Sequence, residues 1–259
     1  KDNSKLIKQK RIRLSFINRE LEQTHIAFGF RTCNVNNNDI YPLEILKIIL
    51  AGNMSSRLFI ELREKNALTY NVSIDDSEYL RNGLFCILTS VDKHKLINYY
   101  YDNEELNFDY KNKLLMKGGN KIKTKSGALP IIVNAINSLI KNGIKIDELE
   151  KAKGYIKGSF SLETEDALNI TDYNGRSIVL NKKKIIPIHQ LYDKKYKKIT
   201  VKNINRVIEK YFKINRLSLV LIGQNVNKLE KIQDVKKELS KLINFNNSEF
   251  KIVNLKEYI

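Results

Sequence analysis

The order of strand-like and helix-like segments constrains this chain more than any other feature. Thr24 to Phe30 places Ile26, Phe28 and Phe30 on one face at period two, the pattern of a half-buried strand. Two further period-two runs, Tyr70 to Ile74 and Leu84 to Val91, flank a loop containing Asn82-Gly83. Asn-Gly between such runs predicts a hairpin, because both residues tolerate positive φ. Leu217 to Ile222 reads as a short buried strand ending at Gly223. The order is strand, helices, hairpin, helices, strand. No β-α-β alternation recurs, which argues against a doubly wound parallel sheet. The expectation is α+β, a mostly antiparallel sheet with helices packed on one face.

The helical segments carry their own signals. Asp39 stands where it can cap a helix running to about Leu50, with Pro42 in the first turn, where a missing N–H costs little. A second helix runs from Ser55 or Ser56 to about Asn66. Leu129 to Lys141 is apolar at helical spacing and stops at Asn142-Gly143. Asp147 and Glu150 suggest a capping box opening a long helix with the core stripe Leu149, Ala152, Ile156 and Phe160. Ala167 to Leu180 presents Leu168, Ile170, Tyr173 and Ile178 on a further helix. Thr200 caps one carrying Val201, Ile204, Val207, Ile208 and Tyr211.

The domain organisation expected is a linker or leading arm at 1–22, one domain at 23–232 and a C-terminal tail at 233–259. The stretch 98–127, with Tyr99-Tyr100-Tyr101 and Lys117-Gly118-Gly119-Asn120, reads as an exposed, partly mobile insertion. The first residue is Lys1 rather than Met, which suggests a segment cut from a longer polypeptide.

Charge and cysteine content narrow the surroundings. A formal charge of +17 would attract nucleic acid or acidic surfaces. The basic residues are scattered, apart from short clusters at Lys182-Lys183-Lys184 and Lys194 to Lys198, without the aromatic interleaving of a stacking groove. A solvated lysine surface is the reading, and nucleic acid is not expected as a partner. The richness in Lys, Asn and Ile fits an AT-rich organism or a large virus. Cys33 and Cys86 have no CxxC neighbour and sit in strand-like stretches, so buried free thiols in an intracellular, reducing compartment are expected. No apolar run is long enough for a membrane helix, and no membrane partner is expected.

The most chemical segment is Ser56-Arg57-Leu58-Phe59-Ile60-Glu61-Leu62-Arg63-Glu64-Lys65, followed by Leu68-Thr69-Tyr70-Asn71-Val72. Phe59 and Arg63 are four apart and share a helix face. Tyr70 follows the helix, at the head of a strand, so guanidinium and phenol can point into one space. Such a pair supplies hydrogen-bond donors and no general base. It can hold a peptide carbonyl or stabilise charge developing on it, but it cannot activate water. Read from the residues alone, a surface Arg on an amphipathic helix and a half-buried strand Tyr are the simpler account.

This S-R-L-F-x-x-L-R-E-K-x-x-L-x-Y-x-V pattern resembles a motif of the M16 metallopeptidases, the family of pitrilysin, insulinase and the mitochondrial processing peptidases. Thr24 to Phe30, Asp147 to Lys153 with Gly158-Ser159-Phe160, and Thr200 to Gly223 resemble further stretches of that family in the expected order. The resemblance implies one half of a two-lobed enzyme. The other, N-terminal half binds zinc through H-x-x-E-H and a further glutamate, the middle glutamate serving as general base. On this chain it implies substrate contacts at Arg63 and Tyr70, with Phe59 as a pocket wall. The partners implied are a zinc-binding half or subunit and a peptide or protein substrate. The only histidines, His25, His94 and His189, do not form H-x-x-E-H, so no metal site and no complete catalytic set are expected here. Two alternatives stay open: a non-catalytic recognition subunit of the same fold, or a basic nucleic-acid-binding protein. Gly52 alone stands where non-catalytic subunits of the family carry a glycine-rich loop, which favours descent from an active protease.

Overall fold

The alternating residues of the first predicted strand form the middle of a six-stranded sheet. The structure, a computed structural model, describes residues 9–101, 123–180, 185–243, 245 and 250–253. Its strands are β1 (Ile12–Asn18), β2 (Gln23–Thr32), β3 (Val72–Asp75), β4 (Gly83–Asp92), β5 (Tyr99–Tyr101), β6 (Lys123–Lys125), β7 (Leu217–Gly223) and β8 (Phe250–Ile252). The large sheet has the order β3-β4-β2-β7-β1-β8. Its β3/β4, β4/β2 and β2/β7 ladders are antiparallel, whereas β7/β1 and β1/β8 are parallel. The sheet is therefore mixed, with antiparallel ladders in the majority, and the fold is α+β.

The helices are α1 (Ile40–Ala51), α2 (Arg57–Phe59), α3 (Ala128–Asn142), α4 (Ile146–Glu163), α5 (Ala167–Val179), α6 (Ile188–Leu191), α7 (Val201–Tyr211) and α8 (Leu229–Leu239). One sheet face supplies Phe28, Phe85, Ile87, Leu219 and Leu221 to a core completed by Ile45 and Leu46 of α1, Ile132 and Ile136 of α3, and Ile204 and Val207 of α7. Each such side chain contributes about 1.5–3 kcal/mol of burial, and this face fixes the sheet's register, because a slip of one residue would expose all of it. Ile156 of α4 joins the same core, with Leu149 and Ala152, as its spacing predicts.

Several expectations are corrected. Residues 1–22 are not simply an arm: Ile12–Asn18 is an interior strand, and Ile12 and Leu14 are 0 % exposed. Ile12, Leu14 and Phe16 alternate with Arg13 and Ser15, a strand pattern inside the expected arm, and the strand's partners lie some two hundred residues away, at Leu217–Gly223 and Phe250–Ile252. Nor is 233–259 merely a tail, since Val235, Leu239 and Leu242 enter the core and β8 lengthens the sheet. Asn82-Gly83 does not turn with positive φ. The turn closes from Tyr79 N–H to the Asn82 carbonyl, and Gly83 starts β4 where a Cβ would lie 2.3 Å from the Cys33 carbonyl oxygen.

The long helix α4 starts earlier than predicted, with Lys145 at its N-cap and Glu148 accepting from the Lys145 N–H at 2.8 Å. On α5 the apolar stripe does not turn inward as a unit. Leu168 and Ile178 are 72 % and 67 % exposed, while the Tyr173 hydroxyl donates to the Ile186 carbonyl. Asp39 sits at the N-cap of α1, but its carboxylate makes no cap. It accepts instead from Arg206 Nη2 (2.5 Å), Lys210 Nζ (2.7 Å) and Tyr211 Oη (2.7 Å), tying α1 to α7. Most of the stretch 98–127 lies outside the described residues, as does the cluster Lys182-Lys183-Lys184. Of the stretch, β5 and β6 pair Tyr99 with Lys125.

Candidate functional site

The site is built by the end of one helix and the turn that follows it. After α1, Gly52 N–H closes on the Ile48 carbonyl, and the Asn53 side chain accepts from Ser55 N–H (2.9 Å) and Ser55 Oγ (2.8 Å). The short α2 passes directly into a π-helical turn at Ile60–Glu64, marked by Lys65 N–H to the Ile60 carbonyl. Such wide turns recur at functional sites, where they re-aim side chains. Leu58 and Leu62 are buried beneath it. On the opposite side the Arg63 guanidinium lies 4.9 Å from the centre of the Phe59 ring, a cation–π contact.

The chain reverses at once. Leu68 N–H reaches back to the Leu62 carbonyl at 2.8 Å, and Ala67 takes φ +47°, the left-handed conformation usually left to glycine after a helix. Thr89 of β4 then fixes the exit, donating to the Asn71 carbonyl at 2.8 Å and contacting the Thr69 hydroxyl at 3.0 Å. With both neighbours fastened, Tyr70 projects outward and is 86 % exposed. Arg63 Nη1 donates to the backbone carbonyl of Tyr70 at 3.2 Å. Arg63, Tyr70 and Phe59 thus stand together, joined through the Tyr70 main chain rather than through its phenol.

Arg57, in the same motif, does something the sequence did not disclose. Its Nε and Nη2 meet Glu148 Oε1 and Oε2 at 2.6 and 2.7 Å, and Nη2 also reaches the Gly143 carbonyl at 3.0 Å. This fork locks the motif to the start of α4. Burial works to raise the Glu148 pKa, but the Arg57 hydrogen bonds and the Lys145 N–H outweigh it and hold the carboxyl below its ordinary value. Beside this pair runs a polar cleft of about 880 Å³ between the π-turn and α3, lined among others by Asn66, Asn134, Ser138 and Lys145.

The histidines are dispersed: His25 on β2, His94 in the turn after β4 and His189 in α6. Among the described residues no group of three or more His, Cys, Asp or Glu is arranged to hold a metal ion. Cys33 and Cys86 are buried free thiols, and burial pushes the Cys86 thiol up to about 12. Glu44 is also raised, to about 7, by burial foremost, and it accepts a hydrogen bond from the Tyr196 hydroxyl. None of these groups adjoins the Arg63–Tyr70 turn in the contacts described. Among the described residues no helix is long and apolar enough to cross a membrane.

Fold and site together define an α+β domain with hydrogen-bond donors gathered at an exposed turn and, among the described residues, no group of His, Cys, Asp or Glu arranged to hold a metal ion. The family described as Peptidase M16 inactive domain matches residues 4–117. An uncharacterized zinc protease of Bacillus subtilis, YmxG, is 28% identical over 189 residues, covering 73% of this chain and 38% of that protein. An uncharacterized zinc protease of Rickettsia bellii is 45% identical over 83 residues, 32% of this chain and 20% of the relative. Among solved structures, a protease from Helicobacter pylori aligns with a TM-score of 0.64 at 20% identity, covering 84% of this chain and 45% of that one. The peptidase M16 inactive domain from Pseudomonas fluorescens aligns at 0.63 and 20%, covering 83% and 44%. Residues 4–117 therefore match the M16 inactive-domain family, and the solved structures share the fold over most of the chain. It spans well under half the length of the curated relatives it matches.

Proposed function

We propose that this chain is the substrate-clamping half of a zinc-dependent M16-type metalloendopeptidase, working with a zinc-binding half that precedes it in a longer polypeptide or is a separate subunit. The observation that carries this reading is the Arg63–Tyr70 turn, with one donor side chain held over Phe59 and the other directed outward. In the closed enzyme Arg63 and Tyr70 donate to carbonyl oxygens of the peptide near the bond that is cut, and Phe59 walls the pocket. Arg63 already satisfies one backbone carbonyl, that of Tyr70, and its remaining donors are available for a second. The histidines of this chain, on three separate elements, do not fit a zinc site, so metal chemistry is assigned to the other half. The buried free thiols support a reducing, intracellular location.

The test uses the complete zinc-bearing enzyme. Tyr70→Phe is expected to lower kcat about tenfold or more with zinc content unchanged, the effect of losing a donor that acts on developing charge. Unchanged turnover would remove Tyr70 from the mechanism. Zinc and peptide added to this chain alone are expected to give no hydrolysis. A non-catalytic recognition role is the second reading, and one of the fold neighbours, in a Complex III2 structure from Candida albicans (TM-score 0.63, 11% identity), is part of a larger assembly. A full-length frame and partner subunit both lacking H-x-x-E-H would favour it.

A further inference from the structure

The sheet face opposite the helices carries a concentration of positive charge that the sequence scatters over some two hundred and forty residues. In the β1/β8 ladder Arg13 pairs with Lys251, and in the β1/β7 ladder Arg13 pairs with Ser218, so Arg13 and Lys251 lie side by side on one face. Ser218 pairs in turn with Gly29, two residues before Arg31 on the same face of β2. Arg216, two residues before Ser218, donates through Nη1 to the Arg31 carbonyl at 3.1 Å. Arg13, Arg31 and Lys251 therefore share one face of the sheet, with Arg216 at its end, its guanidinium 5.3 Å from the centre of the Tyr211 ring. Burial first, and then the charges of Arg13 and Arg216, depress the Arg31 pKa, as expected where guanidinium groups crowd one another. Among the described residues Arg13, Arg216 and Lys251 have no carboxylate partner.

On the same face, towards the other ends of β2 and β4, lies an open depression of about 430 Å³ lined by Ala27, Leu88, Val220 and Ile222 and bordered by Asn71. Asn71 adjoins Tyr70. The cationic corner and the depression thus lie on one sheet face, which Asn71 borders next to the donor turn. The β3/β4/β2 registers put Arg31 about seven residues along the strands from the level of Tyr70 and two strands across, a separation of roughly 25 Å, or about eight residues of extended peptide.

We infer that this basic corner is a subsite for carboxylates of an acidic peptide, set about eight residues from the point where Arg63 and Tyr70 engage the same chain. The inference rests on the clamping role proposed above and adds a substrate class to it. Guanidinium forks match carboxylates bidentately, and an extended peptide crossing the apolar depression reaches both places. A nucleic acid is the competing polyanion, but the depression offers a single aromatic ring, His25, among aliphatic and small polar side chains, fewer than a run of stacked bases uses.

The test is fluorescence anisotropy on the full 259-residue chain. The probe is a labelled peptide of about twelve otherwise neutral residues with three glutamates at one end, compared with its glutamine counterpart and with a single-stranded RNA of similar length. The glutamate peptide is expected to bind at least about tenfold more tightly at ~50 mM salt, with the contrast collapsing near ~500 mM. Arg13→Gln and Lys251→Gln are each expected to cut that contrast about threefold and together to abolish it, with melting temperatures unchanged. Equal binding of the two peptides, or a contrast that survives the double variant, overturns the inference. RNA that outcompetes the glutamate peptide and loses affinity in the same variants overturns it in favour of phosphate. The clamp is tested separately by the glutamine peptide, whose binding should weaken in Arg63→Gln while the glutamate contrast persists. Loss of one effect without the other shows which of the two readings has failed.

Discussion

Two arginines six residues apart in one motif should respond very unequally to the same substitution. Arg57 makes two charged contacts of 2.6 and 2.7 Å with Glu148 and one of 3.0 Å with the Gly143 carbonyl, and the two charged side chains are only 23 and 22 % exposed. Arg57→Ala leaves a carboxylate and a carbonyl without their donor. A fully buried pair broken this way costs about 3–5 kcal/mol, and a charged hydrogen bond about 1.5–3 kcal/mol. With a fifth of each side chain reached by water, about 2–3 kcal/mol is expected, a fall in Tm of about 5–10 °C for a chain of this size. Arg63 is 43 % exposed and holds one bond of 3.2 Å, one ring contact and a long, exposed ion pair with Glu64 at 3.9 Å. Arg63→Ala should cost no more than about 0.5 kcal/mol, or about 1–2 °C. Thermal melts followed by far-UV circular dichroism at neutral pH separate these outcomes.

A pH series adds a second check. Because the Glu148 pKa is lowered in the folded chain, its stabilisation is complete above the ordinary glutamate value of 4.5 and is lost as pH falls through the lowered value. The gap between wild type and Arg57→Ala should hold steady from pH 8 to about 5 and narrow in acid. Equal melting of the two arginine variants, or a gap indifferent to acid, would refute the assignment of Arg57 to scaffold and Arg63 to surface chemistry.

Three other substitutions probe the frame around the site. Burial opposes ionisation of Asp39, but Arg206, Lys210 and Tyr211 prevail and lower its pKa to about 2. Asp39→Asn should cost about 1–2 kcal/mol above pH 4, allowing for the solvent-screened cations, and the cost should fade as pH falls towards 2 in denaturant titrations. Glu44 has the reverse sign: burial first raises it to about 7, so its ionisation above that pH opposes folding. Glu44→Gln should raise Tm at pH 8 by the equivalent of about 1–2 kcal/mol and change it little near pH 5, and equal effects at both would contradict the burial argument. Gly83→Ala sets a methyl group 2.3 Å from the Cys33 carbonyl oxygen and 2.6 Å from Thr32 Oγ1. Overpacking against backbone should cost about 2 kcal/mol or more, and a neutral result in the same melts would show that the strand end can yield.

The sequence by itself determined the elements whose signals are local. Ile26, Phe28 and Phe30 announced β2 by alternation, Thr200 announced α7 through a cap it does make with Asn203, and Asn142-Gly143 marked the end of α3, where Gly143 takes φ +66°. The adjacency of Phe59, Arg63 and Tyr70 was legible for the same reason, since they fall within twelve residues joined by one turn. The tertiary structure decided everything that depends on distant partners. Strand β1 carries a local alternation, Ile12, Leu14 and Phe16 against Arg13 and Ser15, but its place between β7 and β8 is decided by those distant partners. Asp39 is drawn from capping α1 by three donors more than 160 residues onward. Arg57 became scaffold only because α4 brings Glu148 within reach. The cationic corner is the clearest case: Arg13, Arg31 and Lys251 appear in the sequence as parts of a diffuse positive charge, and strand pairing gathers them on one face. Periodicity reports which face of its own element a residue occupies, whereas charge convergence depends on register between elements, which is set by the packing of the whole core.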